Sequence, residues 1–217
     1  LIKTNKQLLN NVCTQVENLY DEEIKKINSI SYQNNIGGRI RSMNGKLGES
    51  ISKCAWNLVG KYYSKVFNIK FQSRKGDELK IKCNNENGNC IEMQVDRHQY
   101  INGNLVHIEE CKAYLDRCYM IRASDDCRMI KKYYNNNNIS SSILAIENSV
   151  KQESYDFIMD EGYIDDVFFL TDGKRNSSKP IWRKEHFKPL NKNKLEYYIK
   201  NIINMFEGWR KNIAVFE

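Results

Sequence analysis

The three residues Asn102-Gly103-Asn104 constrain this chain more than any other short stretch. Asn-Gly between two β-prone runs is a strong hairpin signal, because both residues tolerate the positive φ a tight reverse turn demands. IEMQVDRHQYI before it and LVHIEECKAY after it therefore read as paired antiparallel strands. Side chains in a strand alternate between faces. From Leu105 onward, Val106, Ile108, Glu110 and Lys112 are expected on one face, with His107, Glu109 and Cys111 on the other. A hairpin partner would bring Asp96 alongside Glu110.

The rest of the chain alternates between two periodicities. Residues 6–28 place Leu8 or Leu9, Val12, Val16, Leu19 or Tyr20, Ile24 and Ile27 at helical spacing. NNIGGRIRSMNG reads as a polar, basic loop, followed by a second helix on which Ile51, Ala55, Leu58 or Val59 and Tyr62 mark one face. VFNIKFQ near 66–72 and ELKIKC near 78–83, separated by SRKGD, read as a hairpin turning at Gly76. Helical spacing returns from Tyr114 to Tyr134, SSILAIENSV and DDVFFLTDG are expected to be buried strands, and 191–211 a closing amphipathic helix. No repeat or linker interrupts the 217 residues, so one α/β (α+β) domain is expected, a central mixed sheet flanked by helices.

Composition excludes several classes. No apolar run approaches the roughly 20 residues of a membrane span, and the opening LIKTNKQLLNN lacks the pattern of a signal peptide. A bacterial cytoplasmic setting is expected. The seven cysteines, Cys83 and Cys90 included, form no CxxC pair and are expected to be reduced thiols. Gly37 and Gly38 are followed by no GKS or GKT, so they do not form a phosphate-binding nucleotide loop. The net charge of +7 admits a polyanionic partner without specifying one. His98 and His107, Trp56 and the paired tyrosines at 62–63, 133–134 and 197–198 are expected to pack rather than to react or stack on bases.

Asp96, Glu110 and Lys112 carry the chemistry. Two clustered carboxylates repel unless a cation lies between them, and Mg²⁺ is commonly held by one or two carboxylates together with waters and a substrate phosphate. An ammonium on the same face can position water and stabilise charge growing on phosphorus. The acidic residue, the turn and the following E-x-K, inside apolar strand and ahead of a helix, resemble the PD-(D/E)xK nuclease superfamily over roughly residues 45–150. The family's proline before the aspartate is Val95 here. The resemblance implies a restriction-endonuclease-like core with Asp96 and Glu110 as metal ligands, Lys112 as the third catalytic residue, the Cys111 backbone carbonyl as a further ligand, and Glu49 as an optional one. Acidic residues also favour helix N-termini, which is the alternative reading of Glu49.

The size of the chain resembles type II restriction endonucleases more than shorter structure-specific resolvases. That implies a Mg²⁺-dependent enzyme acting as a homodimer on double-stranded DNA. The apolar faces of helices 6–28 and 191–211, with Tyr197, Tyr198, Ile202 and Phe206, are candidates for the dimer contact. Arg39, Arg41 and Lys46, and Lys174, Arg175, Lys179 and Arg183, are candidates for phosphate and base contacts. The competing reading is a nucleic-acid-binding protein without catalysis, in which the three charges form a structural ion cluster.

Overall fold

The computed structural model describes residues 2–30, 37–84, 87–134 and 138–211, with the side chains of 2–4, 37–39 and 41 excluded. Helices α1 (Ile2–Ile30) and α2 (Gly37–Phe67) precede strand β1 (Phe71–Lys75). Strands β2 (Ile81–Asn84), β3 (Cys90–Met93), β4 (Arg97–Ile101) and β5 (Asn104–Leu115) follow, then α3 (Arg117–Tyr133), β6 (Ser140–Asn148), α4 (Gln152–Asp160), β7 (Asp166–Phe169) and α5 (Lys192–Lys211). The main sheet has the order β1-β4-β5-β6-β7. Its β1-β4-β5 half is antiparallel and its β5-β6-β7 half parallel, with α3 and α4 as the crossovers that parallel neighbours require.

Two apolar layers cover the sheet. On one face α1, α2 and α5 bury Val12, Val16, Tyr20, Ile51, Trp56, Tyr198 and Phe206 against Val106, Cys111, Leu144 and Ile146. On the other, α3, α4 and the small β2-β3 sheet bury Met120, Cys127, Ile130, Ile158, Ile81 and Cys83 against Ile108, Ile143 and Ala145. The expected helical stripes on α1 and α5 are thus consumed within the chain, and of the four residues proposed for a dimer contact only Tyr197, 59% exposed, remains available. All seven cysteines are free thiols. No helix among the described residues is long and apolar enough to cross a membrane.

Several local expectations need correction. The segment GGRIRSMNG is the first part of α2, which runs to Phe67 and ends at Asn68 with φ 55°, a left-handed residue that stops the helix. β1 does not pair with β2: it pairs with β4, while β2 pairs with β3 across the loop that contains Gly88. Gly76 is therefore no hairpin-turn glycine. A Cβ there would lie 2.2 Å from the Val95 carbonyl oxygen, so the residue is fixed by close backbone approach. Helix α4 forms in QESYDFIMD, between the two expected strands, where no element is expected from the sequence.

The Asn-Gly hairpin forms as expected, with Asn102 at φ 50° and Gly103 at φ 87°. Its register slips once, because Gln99 faces His107 and Tyr100 faces Leu105. Val106 is the extra residue of a β-bulge. It points into the α1-α2-α5 layer rather than sharing the face of Ile108, so simple alternation holds only from His107 onward.

Candidate active site

Beyond the bulge, β5 is regular and central, hydrogen-bonded to β4 on one side and β6 on the other. Glu110 and Lys112 share the face that opens into a cleft of about 1240 Å³. Asp96 sits in the bend just before β4, where the pairing of Arg97 with Glu109 brings it opposite the next residue, Glu110. The Lys112 Nζ donates to Asp96 Oδ2 at 2.7 Å and to Glu110 Oε2 at 2.5 Å. The Cys111 backbone N–H donates to the same Asp96 oxygen at 2.8 Å, which pins the bend to the strand. The three residues singled out from the sequence are thus in direct contact.

The electrostatics follow from burial. Loss of solvent, and then the nearby Asp96 charge, push the Glu110 carboxyl up to about 8 against the opposing pull of Lys112. Burial alone would depress the Lys112 ammonium, yet Glu110 and Asp96 outweigh it and hold the amine above its usual value. This donor set fits a divalent cation: two hard oxygen ligands share one cationic partner, and the Cys111 backbone lies at the cleft wall beside them. Among the described residues no group of three or more acidic, histidine or cysteine side chains could hold an ion. Such an ion would need backbone, water or substrate oxygen to complete its shell.

Helix α2 supplies another wall. Gly48 approaches β5 so closely that a Cβ would lie 3.3 Å from the Lys112 backbone nitrogen, and the next residue, Glu49, lines the cleft and pairs with Lys75 at 3.4 Å. Because α2 begins at Gly37, Glu49 lies well inside the helix, which removes the helix-terminus explanation for it.

Of the basic candidates, Lys46 and Arg175 line the cleft. Lys174, Lys179 and Arg183 are exposed and outside its lining, with Arg183 over the Trp182 ring and 4.0 Å from Glu185. The side chains of Arg39 and Arg41 lie outside the described residues. The cleft also contains Tyr114, Tyr119, Arg122, Asp126 and Trp182, to which no motif in the sequence points. Burial raises the Asp126 carboxyl, with Lys112 opposing and Asp125 and Asp96 adding to the rise, so this α3 residue shares the field of the site. Tyr114 could have been found by extending the alternation two residues past Lys112, whereas the others depend on how α3 and the 174–183 segment fold back.

The opposite face of β5 holds a different carboxylate. Glu109 is 1% exposed and accepts hydrogen bonds from Ser52, from Trp56 Nε1 at 3.2 Å, from Tyr198 at 3.0 Å and from Ser142 at 2.9 Å. Ser142 spends its proton on Glu109, so it accepts from His107 Nε2, 3.0 Å away, while Ser140 lies 2.8 Å from His107 Nδ1. Burial pushes the His107 imidazole down to about 3, so it packs neutral.

Comparison with solved structures finds chains of similar fold. NucC of P. aeruginosa ATCC27853, in its cAAA-bound form, superposes with a TM-score of 0.52 at 11% identity, over 90% of each chain. The native BbvCI A2B2 tetramer aligns over 98% of this chain and 92% of its own, at 8% identity and a TM-score of 0.41. No family model and no curated protein matches the sequence. The likeness is one of fold, and that fold is a restriction-endonuclease-like mixed sheet flanked by helices.

Proposed function

We propose that the protein is a Mg²⁺-dependent endonuclease that hydrolyses phosphodiester bonds of double-stranded DNA, acting as a type II restriction enzyme at a specific, palindromic site. The observation that carries this reading is the contact of Lys112 with both Asp96 and Glu110 on the floor of an open cleft. Residues 1–217 act as one nuclease domain, with the catalytic core at about 45–150 and the terminal helices completing its apolar layer. Asp96, Glu110 and the Cys111 carbonyl would hold the cation, with Glu49 as an outer carboxylate. When bound, the cation neutralises phosphate charge and makes water a better nucleophile. Lys112 then donates to a phosphate oxygen, stabilising the negative charge that grows as phosphorus becomes five-coordinate, and orients the attacking water. Lys46 and Arg175 grip the backbone, and Lys174, Arg175, Lys179 and Arg183 extend the basic surface along the duplex.

A two-fold dimer is the simplest way to cut both strands of a symmetric site, one active site per strand. Incubation with mixed plasmid DNA tests the whole reading. Discrete fragments formed with Mg²⁺ and absent with EDTA support it, a metal-dependent smear would replace site specificity with general nuclease action, and metal-independent binding without cleavage would favour a structural ion cluster in a DNA-binding protein.

A further inference from the structure

Tyr114 follows Glu110 and Lys112 on the same face of β5, about 6.6 Å beyond Lys112 at the usual rise of a strand. The Arg175 guanidinium stacks over its ring at 3.5 Å. A backbone bridge fixes that arginine: its N–H donates to the Asn148 carbonyl at 2.7 Å, within the parallel bridge that pairs Lys174 with Asn148 at the end of β6. On the other side, Asp116 caps α3 by accepting from the Tyr119 N–H at 2.9 Å. This sets the Tyr119 ring 5.5 Å from that of Tyr114. One turn further, Arg122 lines the same cleft. Neither arginine forms a side-chain hydrogen bond or ion pair among the described residues.

We propose that Arg175, held on Tyr114 in the cleft that Arg122 also lines, forms a second phosphate subsite that takes a backbone phosphate flanking the scissile one. This rests on the reading of the cleft as a DNA site and specifies where the strand lies within it. The guanidinium face is covered by Tyr114, so stacking on a base is blocked there, whereas its edge keeps N–H donors in the fork that matches phosphate oxygens. Tyr114 is a positioning residue: it fixes the plane of the guanidinium without touching DNA.

Binding of a fluorescent duplex, followed by anisotropy across a salt series without divalent metal, tests the subsite. Arg175→Ala is expected to weaken binding about tenfold at low salt and to reduce the slope of log K against log[salt] by about 0.9, the signature of one lost phosphate contact. Tyr114→Phe should match the wild type, and Tyr114→Leu should lose about threefold. Lys200→Ala, the same charge change on α5 away from the cleft, should alter neither quantity. An Arg175→Ala protein with wild-type affinity and slope overturns the subsite and leaves the nuclease reading standing, as does an equal loss in Lys200→Ala, which would make the effect one of net charge. A wild-type protein that binds no duplex overturns the subsite, and one that also leaves DNA uncut with Mg²⁺ overturns both.

Discussion

The two faces of β5 carry carboxylates one residue apart that are satisfied in opposite ways. Glu109 lies in a dry layer between sheet and helices, held by four neutral donors from α2, α5 and β6. Glu110 lies at the bottom of an open cleft and shares one ammonium with Asp96. A carboxylate surrounded by fixed donors has no capacity left for a ligand, and it ties three elements together. A carboxylate balanced by one flexible lysine can exchange that partner for another cation. Position along a strand thus separates architecture from chemistry within a single peptide unit.

The sharpest way to break this comparison is to remove the cleft carboxylates. Asp96→Ala and Glu110→Ala are each expected to abolish metal-dependent cleavage, with the far-UV circular dichroism spectrum unchanged, and residual cleavage by either would contradict the ligand assignment. Lys112→Ala should lower the cleavage rate on the order of 10²- to 10³-fold while duplex affinity is kept, measured in single-turnover assays with binding followed separately. Near-normal cleavage would remove Lys112 from the chemistry.

The buried face should respond in stability instead. Glu109→Ala orphans four donors and is expected to cost about 3 kcal/mol in urea denaturation, with the cleavage rate of the folded fraction largely retained. Loss of activity in Glu109→Ala beside an active Glu110→Ala would invert the two faces. The smallest effect concerns pH. Burial depresses the His107 imidazole in the folded state to about 3, well below the unfolded value, so the unfolded chain binds its proton first. That contribution is full above about pH 6.5 and declines toward pH 3. About 1 kcal/mol should be lost between pH 6 and 5, and His107→Gln should flatten that slope.

Features with local periodicity were legible in the sequence. The stripes from Leu8 to Ile27 and from Leu195 to Phe206, the Asn-Gly turn and the alternation that separates Glu109 from Glu110 all depend on neighbours within a few residues. Asp96 was legible as a residue of the facing strand, but the turn alone would set it opposite Glu109, and the slip at Val106 is what brings it opposite Glu110. What failed depended on distant partners. Gly76 does lie in a turn, but that turn closes no β1-β2 hairpin: β1 pairs with β4, and the close approach of Gly76 to Val95 depends on a partner far along the chain. The bulge at Val106 leaves no compositional mark, and Arg122, Asp126 and Trp182 enter the cleft only through the packing of α3 and of the loop before α5. Lys174, Lys179 and Arg183 resemble Arg175 in sequence, yet only Arg175 lines the cleft with its ring partner.

The bulge also bears on how such a strand can change over evolutionary time. A strand has parity: adding or removing one residue exchanges the two faces of everything beyond it. Here the odd residue is stored at Val106, between the Asn102-Gly103 turn and the stretch from Ile108 to Lys112. The turn belongs to one parity frame and Glu110 and Lys112 to another, which pairing with β6 holds in place. Insertions or deletions at the hairpin tip can be absorbed at the bulge, so the tip is free to diversify without rotating Glu110 and Lys112 out of the cleft.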